Sequence, residues 1–277
     1  MPLPRAVLMC APEYFDVVDV KNPFMEGQQG RVDIPLARRQ WLDVSRAFES
    51  AGATVQLLEP AAGCEDMVFC ANPAFSGLDG EERRVAVLSQ MRYGSRQTEV
   101  AAHAKWYEEH GYRVVPIGEP GCLFEGSGDA LWHPGRRLIW GGYGHRTSKE
   151  VYRKLSEIFD APVMLLELPT EWFYHLDTCL ALLNETTALV YPGALTDAGM
   201  DLIRSLIPYV IEVDADEAAH AMACNAAALG GKYVVLQRGC SRVNEKLRAR
   251  GFDVIEVDTS EYMKSGGSVF CMKMYLF

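Results

Sequence analysis

Apolar and polar positions along this chain repeat one phrase: a stretch at helical spacing, then a short run of aliphatic and β-branched residues. In residues 36–51, Leu36, Trp41, Val44 and Phe48 recur at approximately helical spacing and Gly52 supplies a stop. Residues 54–58 then read as a strand. The phrase returns at 98–110 with 112–115, at 148–159 with 163–166, and at 244–250 with 252–257, and a weaker copy spans 197–206 with 209–213. Five copies in one chain predict internal repetition.

Strand pairs accompany these phrases. Residues 66–72, 130–132 with 138–140, 180–183 with 187–190, and 225–228 with 233–236 fill this place, and 6–10 reads as a short buried strand. Their polar heads Asp129, Asp177, Asn225 and Cys271 recur at spacings of 48, 48 and 46 residues. Asp66 precedes Asp129 by 63, which predicts an insertion around 77–96. Units that each need neighbours to bury a face close into a ring around one central site. An ordinary α/β sandwich explains the alternation but not the recurrent polar heads.

Composition narrows the function. Apolar residues make up 49% of 277, ample for a full core, and no linker-like stretch divides the chain, so 1–277 is expected to be a single domain. The net charge of −10 argues against nucleic acid, which needs clustered Lys and Arg. No apolar run has the form of a signal peptide core or the length of a membrane span. Eight scattered cysteines without a C-x-x-C pair predict neither a zinc site nor a disulfide framework, and a cytoplasmic location is expected.

Three segments carry candidate chemistry. Ser265, Gly266 and Gly267 allow a sharp turn before 269–271, which reads as the start of a strand with Cys271 at its mouth, placed as an attacking thiolate would be. In a strand through 172–178, His175 and Asp177 share a face. Residues 124–129, Phe-Glu-Gly-Ser-Gly-Asp, set two acids around flexible residues ahead of an apolar run.

In that order, Glu125-Gly-Ser-Gly-Asp129, His175-Leu-Asp-Thr178 and Gly266-Gly-Ser-Val-Phe-Cys271 resemble the guanidino-group-modifying (pentein) superfamily of arginine deiminases, dimethylarginine dimethylaminohydrolases, amidinotransferases and arginine dihydrolases. The resemblance implies an α/β fold, a five-bladed pseudo-symmetric αβ-propeller, and a cofactor-free, metal-free hydrolase acting on a small guanidino amino acid. It implies that Cys271 attacks the guanidinium carbon, that His175 moves protons, and that Glu125 and Asp177 hold guanidinium nitrogens. Arg96 and Arg146 look like the arginines that grip the α-carboxylate, and Asp66, Asn72, Asn22 and Asp129 complete the expected substrate site. Deiminases and dimethylargininases usually carry aspartate where this chain has Asn72. With Asn22, that amide looks more like arginine dihydrolases, which convert arginine to ornithine, carbon dioxide and ammonia. Deimination or demethylation to citrulline, amidino transfer, and binding without turnover are the alternatives. Oligomeric state is left open.

Overall fold

A computed structural model of the chain describes residues 1–118 and 121–277. It opens with strand β1 (Ala6–Cys10), helix α1 (Ile34–Ser50) and β2 (Thr54–Leu58). Then come β3 (Ala74–Leu78), β4 (Arg84–Leu88), the short α2 (Gly94–Gln97), α3 (Glu99–Glu109) and β5 (Arg113–Pro116). They are followed by β6 (Ala130–Trp132), β7 (Ile139–Tyr143), α4 (Val151–Phe159) and β8 (Val163–Glu167). Next are β9 (Leu180–Leu182), β10 (Thr187–Val190), α5 (Asp197–Leu206) and β11 (Tyr209–Glu212). Helix α6 (Ala215–His220) leads to β12 (Ala227–Leu229), β13 (Tyr233–Gln237), α7 (Ser241–Ala249) and β14 (Asp253–Val257), and α8 (Ser260–Met263) precedes β15 (Met274–Leu276).

These strands form five three-stranded sheets: β15-β1-β2, β3-β4-β5, β6-β7-β8, β9-β10-β11 and β12-β13-β14. In each, the middle strand runs antiparallel to the first and parallel to the third. A parallel partner requires a crossover, and a helix supplies it. Burial grades across the sheet, from mostly buried middle strands, with β10 buried throughout, to half-exposed third strands such as β2 and β14. This is the five-unit αβ-propeller that the resemblance implies, with the internal repetition that the repeated phrase predicts.

The helices form where the apolar spacing places them. In α1, Ala37, Trp41, Val44, Ala47 and Phe48 are buried on one stripe, and the Asp33 side chain accepts from the Leu36 N–H at 2.9 Å, satisfying an otherwise orphan donor. Gly52, at φ +87°, turns the chain out of the helix in the left-handed conformation that glycine tolerates.

Three strand assignments fail, the third being 172–178, which forms turns at the site described below. Residues 66–72 form turns, closed by the Phe69 N–H to Asp66 O bond at 2.9 Å, and the strand pair of that unit is β3 and β4, of which β4 and the end of β3 fall inside the segment expected to be an insertion. Gly77 disguises β3 as a loop, yet it is there because a Cβ would lie 2.6 Å from the indole nitrogen of Trp132. The head of this unit is therefore Asn72, two residues before β3, rather than Asp66. Likewise, Cys271 sits in a turn over 269–272 and β15 starts three residues later.

Gly126 tests the packing between units. Its φ is +57° and a Cβ would come within 2.5 Å of the Asn72 carbonyl oxygen. Gly126→Ala should destabilise by about 3 kcal/mol, combining left-handed strain with a backbone clash. Gly63→Ala, at φ +79° but in open space, should cost only about 1 kcal/mol. Urea unfolding of the two variants checks the difference.

Candidate active site

The polar-headed turns lie at the N-terminal ends of the first strands, so the ring brings them together although the sequence separates them. Cys271 is 3% exposed. Asn225 fixes it from both ends: the amide oxygen accepts the Cys271 N–H at 3.2 Å and the amide nitrogen donates to Sγ at 3.2 Å. On another side Sγ donates to Asp177 Oδ2 at 3.3 Å. Burial and the adjacent Asp177 push the thiol well above its ordinary value. Burial likewise pushes Asp177 up to about 7, against the Cys271 hydrogen bond and the charge of Lys273.

His175 and Asp177 do not share a strand face. They belong to a turn through Leu176–Thr178, closed by Thr178 Oγ1 donating to the His175 carbonyl at 2.6 Å, and their side chains diverge. Asp177 meets Cys271, whereas His175 Nε2 lies 2.7 Å from Glu125 Oε2. Burial opposes ionisation of Glu125, but Arg146 and His175 outweigh it and hold the carboxyl well below the usual range. A carboxylate only accepts, so His175 carries its proton on Nε2 and Nδ1 faces Asn72 Nδ2 at 3.4 Å.

Glu125 is not free to hold a substrate. Oε1 accepts the Arg92 N–H at 3.0 Å, and Oε2 also accepts from Arg146 Nη1 at 2.8 Å. Its chemistry reaches the site through His175. Asp129, expected at the substrate, is fully buried behind the turn: Thr147 donates to one oxygen at 2.6 Å and the Leu176 N–H to the other at 3.0 Å. It shapes the His175 turn, and burial raises it to about 6.

The remaining expected residues converge on one pocket of about 290 Å³. Asn22, Asp66, Asn72, Arg96, Arg146 and Cys271 line it, together with Lys21, Met25, Phe69, Tyr174, Ser265 and Gly267. Arg96 donates to Glu99 and, through Nη1, to Asn72 Oδ1 at 2.9 Å, which fixes the Asn72 amide with its nitrogen toward His175. Arg146 stacks between Tyr93 and Tyr174 and donates to the Lys21 carbonyl at 2.7 Å. Gly266 and Gly267 have no room for a Cβ, which would meet Asn22, Tyr174 and Phe69. A second cavity, at the C-terminal ends of the first strands, is lined largely by apolar groups such as Leu3, Phe75, Trp132 and Phe277 and holds none of the candidate side chains.

Sequence reasoning left Asn225 and Lys21 out of the site. Recurrence of the heads was the available signal for Asn225. Lys21 is buried and ion-paired to Asp19, Glu65 and Asp66, partners that only the fold supplies.

Comparison with known proteins agrees with this geometry. Residues 12–277 match the family model described as N,N dimethylarginine dimethylhydrolase, eukaryotic. The chain is 36% identical over 270 residues to the N(G),N(G)-dimethylarginine dimethylaminohydrolase of Mycobacterium tuberculosis, covering 98% of this chain and 85% of that protein. It is 35% identical to the bifunctional arginine dihydrolase/ornithine cyclodeaminase ArgZ of Synechocystis, covering 97% of this chain but 37% of that protein. The N-terminal domain of ArgZ, solved as a cysteine-to-serine mutant bound to substrate, superposes with a TM-score of 0.92 at 33% identity, covering 98% of this chain and 97% of that one.

Two predictions rest on the buried carboxyls. Glu125→Gln should lower kcat about 10²- to 10⁴-fold with little change in KM, because the side chain acts through His175; steady-state kinetics decide. Asp177 is raised on folding, so the native state binds the extra proton between about pH 4 and 7 and stability falls as pH rises through that window. Asp177→Asn should therefore be more stable than the parent at pH 8, by on the order of 2 kcal/mol, with the gap closing toward pH 4 in denaturant titrations.

Proposed function

Because the chain belongs to the dimethylarginine dimethylaminohydrolase family, hydrolases of guanidino C–N bonds, we propose that it is an arginine dihydrolase. The observation that carries this reading is Asn72. It lines the pocket beside Cys271, its oxygen is committed to Arg96, and it offers His175 a neutral N–H. An amide can bond a neutral ureido group as readily as a cation, so the first product is retained rather than released.

The reaction follows from the groups in place. A guanidinium entering the pocket brings positive charge to a thiol that burial keeps protonated, which favours the thiolate. The thiol gives its proton to His175, Cys271 Sγ bonds to the guanidinium carbon, and one C–N bond breaks as His175 passes that proton to the departing ammonia. His175 then takes a proton from water as it adds to the thiouronium carbon, and the C–S bond breaks to leave citrulline. In the second round Sγ attacks the ureido carbon, a second ammonia departs, and hydrolysis of the thiocarbamate gives a carbamate that loses carbon dioxide to ornithine. Arg96 and Arg146 hold the amino-acid end, with Asp66, Asn22 and Lys21 around it. This reading takes residues 1–277 as one catalytic unit in the cytoplasm, and it needs neither metal nor cofactor.

The family match favours a second reading, hydrolysis of dimethylarginine to citrulline and dimethylamine. Product analysis by mass spectrometry on arginine, dimethylarginine and citrulline, with and without glycine, separates the candidates. The expected result is ornithine with two ammonia per arginine, little free citrulline, and no product with Cys271→Ser. Citrulline as the terminal product, release of dimethylamine, or amidination of glycine would each assign another reaction. Asn72→Asp should raise the citrulline share about tenfold, the effect of roughly 1.4 kcal/mol favouring the cation over the neutral intermediate.

A further inference from the structure

Two residues beyond the nucleophile lies a lysine that the mechanism above does not use. Lys273 is fully buried, and its Nζ has no hydrogen-bond partner among the described residues. The nitrogen sits 3.0 Å from the centroid of the Phe270 ring and 3.7 Å from that of Tyr275, two π-faces that attract a cation. Asp177 presents a matching oddity: Oδ2 accepts from Cys271, but Oδ1, although the Asn225 amide acts on this carboxyl, makes no hydrogen bond within normal distance and angle among the described residues. An apolar side chain would fill the Lys273 site at lower cost, so the amine calls for an electrostatic reason.

Asp177 and Cys271 are the groups whose negative charge acts on it most. When Cys271 ionises, a thiolate stands 3.3 Å from the Asp177 carboxyl. Two anions at that separation inside a protein repel strongly unless a cation accompanies them. A bound guanidinium offsets one negative charge, and a second remains. We propose that Lys273 is a positioning residue for the reaction, a buried amine that becomes the positive charge accompanying Cys271 as it ionises beside Asp177.

The groups facing this cluster are few. Asp177, Cys271 and Cys70 act on Lys273, and each favours its ammonium form. Tyr174 also faces Cys271, and Arg96 adds positive charge toward Asp177. Burial pushes Lys273 well below its usual range, so the ammonium is favoured chiefly when the neighbouring anions form. Charging of Lys273 and ionisation of Cys271 are thereby linked, each promoting the other.

The inference rests on Cys271 as the nucleophile but not on the identity of the substrate, so its deciding readout uses none. Alkylation of Cys271 by iodoacetamide is followed against pH, with the Cys271 peptide quantified by mass spectrometry, in the parent, Lys273→Met and Lys273→Arg. Lys273→Met should move the alkylation midpoint up by about one pH unit, slowing modification about tenfold at pH 8, and lower kcat more than it raises KM. Its thermal midpoint should not fall, and Lys273→Arg should keep a profile close to the parent's. A Lys273→Met profile that superimposes on the parent's, or an arginine variant shifted as far as methionine, would overturn the proposal. Should the methionine variant fail to fold, the parent protein decides. Capping Cys271 as a methyl disulfide should lower the Lys273 titration midpoint followed by NMR of its side-chain carbons, and an unmoved midpoint would refute the linkage.

Discussion

The structure depends on one pairing, that of β15 with β1. The two strands register Leu8 against Met274 and Ala6 against Leu276, and β1 pairs in turn with β2. One of the five units is thus assembled from both ends of the chain, and only this pairing turns a row of four sheets into a ring. Cys271 lies in the turn immediately before the closing strand, so the same pairing places its thiol against Asn225 and Asp177 from other units.

Closing the ring gathers polar heads at one end of it, which creates the electrostatic problem the site resolves. Glu125, Asp129, Asp177 and Glu99 are all buried close to Arg96, Arg146 and His175. They do not share one state. Glu125, bonded by Arg146 and His175, is held ionised, whereas burial raises Asp177 and Glu99 to about 7 and Asp129 to about 6. Carboxyls of similar type thereby take different tasks: one orients a histidine, one shapes a turn, and one borders the thiol.

Much of this was legible in the sequence, for a physical reason. The helices and the third strands have one face buried and one wet, so their periodicity shows. The heads form single turns too short to carry a period, and partners from other units hold them. His175 and Asp177 therefore read as strand neighbours although Asp129 and Thr178 bend that segment. Gly77 reads as a loop because the indole of Trp132, which excludes its side chain, lies in the next unit. Convergence of Cys271, Asn72 and Arg96 on one pocket follows from recurrence of the units, but the engagement of Glu125 by Arg92, Arg146 and His175 had no local signal.

Ring closure also bears on folding kinetics. Pairing β1 with β15 closes a loop of almost the whole chain, a contact of high sequence separation whose entropic cost precedes its reward. The helix-strand crossovers are local by comparison and form without it. Closure is therefore the slow, late event, and before it Cys271 lacks the amide and carboxyl that flank it in the finished ring. A chain with four sheets in place has most of its secondary structure and none of its chemistry, so regain of activity on refolding trails regain of helicity.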